Sequence, residues 1–385
     1  MPWKVICSVD LKAEFVVRHQ RGESIAELCR EYGISRKTGH KVISRFEALG
    51  TAGLFDLSRA PKSIPHKTPP EVVELVLKVK RDHPFWGAKK IKGALETQLG
   101  RAFPAASTLA DILSRHGLVE RRGRRPRRGA APTGLRAAEA PNDVWCVDYK
   151  GQFRLGDRSY CYPLTMTDQF SRFVLMCEGM DAIDAARARE ASALAFQSHG
   201  LPLRIHSDNG APFASTGVLG LTALSVYWLR LGIELERSRP AHPEDNGRHE
   251  RMHRTLKRET TRPARHNLLQ QQERFDAFVH EFNSERPHEA LGMKRPAEVY
   301  TPSPRTLLTA LPELTYPLHD DVKRISHRGD INAIGRSVYI GIALAGEDVG
   351  LREEDDGRLL VTFMDMDLGH VDGHKLQPLP PPGHY

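Results

Sequence analysis

The stretch WCVDYKGQF, residues 145–153, decides how the centre of this 385-residue chain folds. It begins with an apolar and aromatic run that is typical of a buried strand. Asp148 interrupts that run between Val147 and Tyr149. Because a carboxylate in an apolar strand is costly unless it is paired or binds a metal ion, Asp148 is predicted to take part in chemistry.

The pattern on either side of Asp148 predicts an α/β domain. Three strand-like runs follow one another, and helices then alternate with shorter strands, which favours a mixed sheet. The predicted strands are 144–153, 160–170, 171–179, 203–208 and 234–240. The predicted helices are 184–200, 218–233, 246–258 and 271–284.

Two further acidic residues are predicted to meet Asp148 at one site. Asp208 ends the fourth strand, and ligands usually lie at strand ends in such sheets. Glu250 lies one turn into the helix after the turn PEDNG, residues 243–247. Intervals of 59 and 41 residues separate the three acids, so only folding can bring them together. Hard divalent cations such as Mg²⁺ prefer carboxylate oxygens, and a pair of them can promote displacement at phosphorus.

The charge of the chain is unevenly distributed. The total is +8, but residues 1–140 contain 27 Lys and Arg against 14 Asp and Glu. Residues 141–300 are neutral, and residues 301–385 carry a net charge of −5. A basic N-terminal part beside a neutral central part indicates that the N-terminal part binds polyanions, while the central part has a different function.

Composition excludes several classes of protein. No run of about 18 apolar residues is present, and the first residues lack the apolar core of a secretory signal. The five cysteines are scattered without a C-x-x-C pair, so neither a zinc ribbon nor a disulfide framework is expected. A cytoplasmic protein with no membrane partner is predicted, associated with the nucleoid through DNA.

The N-terminal part predicts a helix-turn-helix unit. Ile25, Leu28 and Tyr32 recur at helical spacing, Gly33 breaks the pattern, and Ser35 is placed to cap a second helix. That layout fits the major groove of DNA, although a small helical bundle with a basic surface has the same pattern. The basic residues predicted to bind DNA on this helix are Arg36, Lys37, Lys41 and Arg45.

A second helical unit and a basic linker follow. Helices predicted at 70–82, 87–99 and 107–116, the last capped by Ser107, form either another helix-turn-helix or a plain three-helix spacer. The run RRGRRPRR at 121–128 cannot build a core and is predicted to follow a phosphate backbone. Its candidate DNA-binding residues are Arg124, Arg125, Arg127 and Arg128. Beyond residue 318, short strands and the turn Asp356-Gly357 predict a small β-barrel or sandwich.

Several of these blocks together resemble the insertion-sequence transposases of the retroviral-integrase superfamily, which are DDE enzymes with an RNase H-like core. The blocks that carry the resemblance are WCVDYKGQF at 145–153, CYPLTMTDQFSR at 161–172, HSDNGAPF at 206–213, HPEDNGRHER at 242–251, FNSERPHEALGMKRPAEVY at 282–300 and LCREYGISRKTG at 28–39. They occur in the family's order and extend over nearly the whole chain.

The resemblance implies a function and a domain plan. It places the catalytic, metal-binding triad on Asp148, Asp208 and Glu250, with two Mg²⁺ or Mn²⁺ ions. It implies cleavage of element ends and strand transfer into target DNA by a homo-oligomer that binds terminal inverted repeats. The expected domains are a helix-turn-helix domain (1–60), a second such or winged-helix-like domain (68–120), a basic linker (121–140), an RNase H-like integrase core (141–302) and an SH3-like β module (318–378).

The sequence also departs from its retroviral relatives. The interval between Asp208 and Glu250 is longer, which implies an insertion near 214–225, and the paired His/Cys zinc module is absent. Helix geometry places Arg254 and Lys257 on the same face as Glu250, where they either grip DNA phosphates or form a solvated basic face.

Two other interpretations compete with the transposase. His249-Glu250-Arg251-Met252-His253 matches H-E-x-x-H, the zinc-binding pattern of metalloproteases. We prefer the interpretation that both histidines are exposed helix residues, because the pattern is short and leaves Asp148 and Asp208 unexplained. The second competitor is a sequence-specific DNA-binding regulator with an inactive core, which the presence of all three carboxylates disfavours.

Overall fold

The structure is a computed structural model that describes residues 8–56, 67–119, 136–239, 242–333 and 335–379. The chain divides into two compact units, Met1–Pro69 and Pro70–Tyr385. The arginines predicted to bind DNA at 124–128 lie outside the described residues. Among the described helices, none has both the length and the apolar character that crossing a membrane requires.

The first unit is a bundle of three helices. These are α1 (Ser8–Gln20), α2 (Ile25–Glu31) and α3 (Arg36–Leu49). Ser35 caps α3 as predicted, because its hydroxyl accepts a hydrogen bond from the amide of Thr38 at 3.2 Å. A Cβ at Gly39 would lie 2.5 Å from Cys29 Sγ, so only glycine permits α3 to pack this closely on α2.

The second unit begins with three more helices. They are α4 (Pro70–Asp82), α5 (Ala88–Leu99) and α6 (Ala106–Arg115), which enclose an apolar cluster around Trp86 and Leu109. The predicted capping role of Ser107 is wrong, because α6 begins one residue earlier and Ala105 occupies the cap position. The Trp86 indole donates a hydrogen bond to Glu281 Oε1 at 3.0 Å, which fixes this helical unit to the domain that follows.

The central domain is built on a mixed sheet, as predicted. Its strands are β1 (Val144–Tyr149), β2 (Phe153–Arg154), β3 (Tyr160–Asp168), β4 (Val174–Met180), β5 (Arg204–Ser207) and β6 (Glu234–Arg237). The order is β2-β3-β1-β5-β6, with β4 also paired to β3. β1 pairs antiparallel with β3 but parallel with β5, and β5 pairs parallel with β6 at the edge.

Four helices pack on this sheet. They are α7 (Ala185–His199), α8 (Ala223–Arg230), α9 (Gly247–Thr260) and α10 (Leu268–His280), and a π-helical turn, Glu281–Glu285, extends α10. The prediction that one helix begins at residue 218 and extends to residue 233 is wrong, because α8 begins only at Ala223. Thr222 and Ser225 form a capping box, which starts α8 at Ala223 because it satisfies the first free amides.

The C-terminal part forms a second, nearly closed sheet. Its seven strands are β7 (Asp321–Arg324), β8 (Asp330–Ala333), β9 (Arg336–Tyr339), β10 (Asp348–Glu353), β11 (Leu359–Phe363), β12 (Met366–Asp372) and β13 (Lys375–Pro378). The predicted turn at Asp356-Gly357 joins β10 to β11. The apolar interior of this barrel-like sheet also contains Leu221 and Val226, so the sheet packs against α8.

Candidate active site

The strand register places two of the predicted acids at one end of the sheet. Cys146 on β1 lies opposite His206 on the parallel neighbour β5. Asp148 and Asp208 each follow two residues later, so both carboxylates leave the sheet at the same edge, on adjacent strands. Glu250 lies in the first turn of α9 and is exposed.

The electrostatics of Asp148 connect all three acids. Burial and, to a smaller extent, the negative charges of Asp208 and Glu250 raise the pKa of its carboxyl to about 7, against the opposing effect of Lys150. A hard divalent cation would stabilise the ionised form of a carboxyl, such as that of Asp148, whose ionisation burial and nearby negative charges disfavour. The charges of Asp208 and Glu250 thus reach Asp148, but among the described residues the ligand atoms that lie within 4.8 Å of one another are those of Asp148, His249 and His253, not those of the three acids.

The opposite face of α9 is buried against β3. His249 and His253 are 1% and 4% exposed, so the prediction that they are exposed helix residues is wrong. They belong to a stripe with Met252 and Leu256 at helical spacing, and this stripe faces the apolar strands. Burial lowers the pKa of His249 to about 3 and that of His253 still further, so both rings stay neutral.

Two threonines of β3 satisfy these buried rings. Thr165 Oγ1 lies 2.8 Å from His249 Nε2 and 2.6 Å from His253 Nε2, and it also lies 3.1 Å from the Asp148 carbonyl oxygen. Thr167 Oγ1 lies 2.7 Å from His249 Nδ1. Donors and acceptors balance when Thr165 donates to the Asp148 carbonyl while both rings donate Nε2–H to Thr165.

This arrangement leaves His253 Nδ1 without a threonine partner. It lies 3.6 Å from Asp148 Oδ2 and is an acceptor there. This distance is too long for a hydrogen bond, so the ring of His253 lies beside the Asp148 carboxyl without bonding to it.

We expect Thr165→Val to destabilise the chain, because the isosteric valine leaves the Nε2 groups of both histidines without a partner. A buried polar group without a partner costs about 1–3 kcal/mol. Urea unfolding followed by circular dichroism measures the change, and Thr165→Ser, which keeps the hydroxyl, is the matched control. Equal stability of the valine and serine variants would contradict the network.

The geometry also bears on the zinc interpretation. Ligand atoms of Asp148, His249 and His253 all lie within 4.8 Å of one another, a spacing compatible with a metal. However, Thr165 and Thr167 engage both nitrogens of His249. A zinc ion would therefore have to displace hydroxyl partners inside a buried interface.

One residue near the site was missed by the sequence analysis. Lys150 is half-buried. Burial and the charge of Lys257 lower the pKa of its ammonium group, while Asp148 and Glu250 raise it. Lys150 could have been found from the two-residue period of a strand, which places residues 148 and 150 on the same face. Arg254 and Lys257, predicted from helix geometry, are exposed on α9.

The basic residues predicted to bind DNA in the first unit lie on the outside of α3. Arg36, Lys37 and Lys41 are exposed and Arg45 is half-buried, whereas Gly39 and Ile43 form the buried side. Cations on the outward side of the second helix remain available to a ligand of that unit.

Large aromatic side chains and small thiols fill the interior of the central domain. Trp145, Trp228 and Phe282 are 0%, 1% and 5% exposed, and Cys146 and Cys161 are buried free thiols. His206 is fully buried, and its Nε2 lies 3.0 Å from Ser238 Oγ. Its Nδ1 has no hydrogen-bond partner among the residues that the structure describes and lies 3.7 Å from Glu236 Oε2.

Family models match four stretches of the chain. Two models described as integrase core domains match residues 138–243 and 231–296. A helix-turn-helix domain model matches residues 11–62, and a homeodomain-like model matches residues 38–113. The acids Asp148 and Asp208 fall within the first integrase match, and Glu250 falls within the second.

Similar proteins come from retroviruses. The Pro-Pol polyprotein of simian foamy virus type 3 (strain LK3) is 32% identical over 136 residues, which are 34% of this chain and only 11% of that polyprotein. The simian T-cell lymphotropic virus intasome, solved with a PP2A regulatory subunit, matches with 17% identity, 77% and 99% coverage and a TM-score of 0.38. The HTLV-2 integrase catalytic core, solved with magnesium, matches with 16% identity, 43% and 100% coverage and a TM-score of 0.35.

The family matches fall on the helical front of the chain and on the mixed sheet. The chain therefore combines an integrase core domain with N-terminal helix-turn-helix and homeodomain-like domains.

Proposed function

We propose that the chain is a DNA transposase that cleaves the ends of a mobile element and transfers them into target DNA. The observation that carries this proposal is the coupling of Asp148 to Asp208 and Glu250, whose charges raise the pKa of its carboxyl. A carboxyl at the end of a strand that feels the charges of two further carboxylates suits a cation-dependent reaction on a phosphodiester. The integrase core matches support the same class of chemistry.

The donor set fits the metal that this chemistry requires. All three side chains offer carboxylate oxygens, the ligands that Mg²⁺ and Mn²⁺ prefer. Asp148, Asp208 and Glu250 would hold two such ions. When bound, the ions supply activation of the attacking oxygen and stabilisation of the leaving oxygen in an in-line displacement.

The residues around the acids contribute binding and orientation. Arg254 and Lys257 are exposed on the face of α9 that carries Glu250, where they would hold backbone phosphates of the DNA. Lys150 lies within the electrostatic range of Asp148 and Glu250, close to the reacting phosphodiester. The ring of His253, which Thr165 holds, lies beside the Asp148 carboxyl.

The same site would serve two successive displacements. Water first attacks the phosphodiester at the element end and frees a 3′-OH, which then attacks the target strand with the same in-line geometry. Neither step requires a covalent enzyme intermediate, so no nucleophilic side chain is assigned. The α3 cations and the linker arginines would bind the terminal inverted repeats, and a homo-oligomer would pair the two ends.

The proposal is tested with the full chain and DNA that carries the ends of the element. We expect the wild-type protein to cleave and join these ends with Mg²⁺ or Mn²⁺ but not with EDTA, and Asp208→Ala to bind the same DNA without cleaving it. Gel analysis of labelled ends measures both steps. If the wild-type protein binds the ends but does not cleave them with either metal, the chain is a DNA-binding regulator.

A further inference from the structure

A second cationic site lies beside the proposed active site. A cavity of about 210 Å³ opens between α5, the β3–β4 turn and the first turns of α9, well above the roughly 10–15 Å³ that one water molecule needs. Four basic side chains line it: Lys90, Arg172, Arg248 and Arg251. Asp148, Asp208 and Glu250 do not line it, so it is distinct from the acidic triad.

These cations lack acidic partners. In the part of the chain that the structure describes, the salt bridges involve none of the four, although neighbouring Lys89 and Lys92 pair with Glu289 and Glu96. Arg172 and Arg248 reach only the carbonyl oxygen of Gln169, at 2.5 and 3.4 Å. The cavity thus gathers positive charge that no salt bridge of the described chain compensates, although Asp168 acts on Arg172, and Glu259 and Glu281 act on Lys90, at longer range.

The single carboxylate in the cavity lining, that of Asp168, already accepts hydrogen bonds from nearby groups. Asp168 is 1% exposed. One of its oxygens accepts a hydrogen bond from the amide of Asn142 at 2.8 Å, and the other accepts two from Ser171 at 2.6 and 2.7 Å. Its bonds therefore hold the β3–β4 turn. Its charge favours the cation of Arg172 but does not outweigh burial and the neighbouring arginines, since the pKa of Arg172 stays lowered.

The cations act on one another through the cavity. Burial and, to a smaller extent, the charges of Arg248 and Arg251 lower the pKa of Arg172 to about 10, against the opposing effect of Asp168. Burial also lowers the pKa of Lys90 to about 8. The cavity wall contains His288, whose Nε2 is buried without a hydrogen-bond partner. Lys90 and Arg172 add to the burial that keeps this ring neutral, with a pKa of about 3.

We propose that this cavity binds a phosphate group through Lys90, Arg172, Arg248 and Arg251. An anion with several acceptor oxygens satisfies clustered lysine and arginine donors and removes their mutual repulsion. The group is either a phosphodiester of bound DNA, which would anchor DNA at the junction of α5 and the core, or a free phosphate. The proposal does not depend on strand-transfer activity.

The test uses Lys90→Met, which keeps the length of the side chain but removes its charge, in the full chain. Lys89→Met is the matched control, because that lysine is one residue away, pairs with Glu289 and does not line the cavity. In one arm, thermal unfolding is recorded with inorganic phosphate and with chloride at equal ionic strength. In the other, DNA affinity is measured against salt concentration.

A site for free phosphate predicts that phosphate raises the Tm of the wild type and of Lys89→Met, but not of Lys90→Met. A site for DNA predicts that Lys90→Met lowers the slope of log affinity against log salt by about 0.9, while Lys89→Met leaves it unchanged. Either result supports the proposal. Equal behaviour of the two variants in both arms overturns it.

Folding is controlled separately. Removing an uncompensated cation should leave the Tm of Lys90→Met in chloride equal to or above that of the wild type. If that variant does not fold, Arg251→Gln replaces it, since this arginine is exposed and lines the same cavity. Unchanged phosphate and DNA binding in Arg251→Gln then overturns the proposal.

Discussion

Replacing Glu250 with glutamine is expected to lower strand transfer by at least about 10²–10³-fold, the range found when one group that stabilises transition-state charge is removed. The amide keeps the shape of the side chain but loses the negative charge that reaches Asp148 and that a divalent cation needs. Because Glu250 is exposed, the stability of the variant should match that of the wild type.

Glu273→Gln is the matched control for this experiment. Glu273 is also an exposed helical glutamate, but it lies on α10. Labelled DNA ends measure strand transfer, and binding of the same DNA is measured separately to show that only the chemistry is lost. Comparable activity of the two variants would remove Glu250 from the proposed triad.

The largest loss of stability is expected for Trp145→Ala. The side chain is fully buried in the central core and packs near Phe196, with ring centroids 5.9 Å apart. Replacing a buried aromatic residue with alanine costs about 3–5 kcal/mol, because transfer free energy is lost and a cavity remains. Urea unfolding followed by circular dichroism measures the change.

Trp145→Phe separates packing from hydrogen bonding at the same position. The indole donates a hydrogen bond to Asn142 Oδ1 at 3.1 Å, and phenylalanine keeps an aromatic ring but leaves that oxygen without the bond. We expect the phenylalanine variant to lose less stability than the alanine variant. A loss below about 1 kcal/mol for alanine would contradict the burial of this ring in the core.

The sequence predicts the central sheet well because each of its signals is local. Asp148 stands out in an apolar strand, and the alternation of helix and strand after Met180 follows directly from hydrophobic period. To predict that Asp208 lies at the end of β5, it is enough to recognise where the apolar run of that strand stops. No local signal shows that Asp148 and Asp208 are neighbours. Their adjacency results from the parallel pairing of β1 with β5.

The histidines of α9 show where local signals mislead. The H-E-x-x-H pattern drew attention to a possible metal, whereas the stripe of His249, Met252, His253 and Leu256 indicates a buried face by its spacing alone. That stripe could have been recognised from the sequence. The partners of the rings, Thr165 and Thr167, lie more than 80 positions away along the chain, so the network itself depends on tertiary structure.

Lys90 illustrates a different limit. From the sequence, Lys89, Lys90 and Lys92 form one basic stretch on a helix. In the fold, two of them have acidic partners and the third lines a cavity against the core. Helix geometry separates the directions of adjacent side chains, but only the position of the neighbouring domain decides what each one meets.

The longer interval between Asp208 and Glu250 contains α8, a helix with a structural role of its own. Leu224 and Trp228 belong to the central core, while Leu221 and Val226 belong to the interior of the C-terminal sheet. Arg230 also contacts Glu347 at 3.0 Å. This short helix therefore packs against both the central core and the C-terminal sheet. A protein that ends before residue 316 would expose the apolar residues that now pack against the C-terminal sheet. An exposed apolar surface of this kind promotes aggregation.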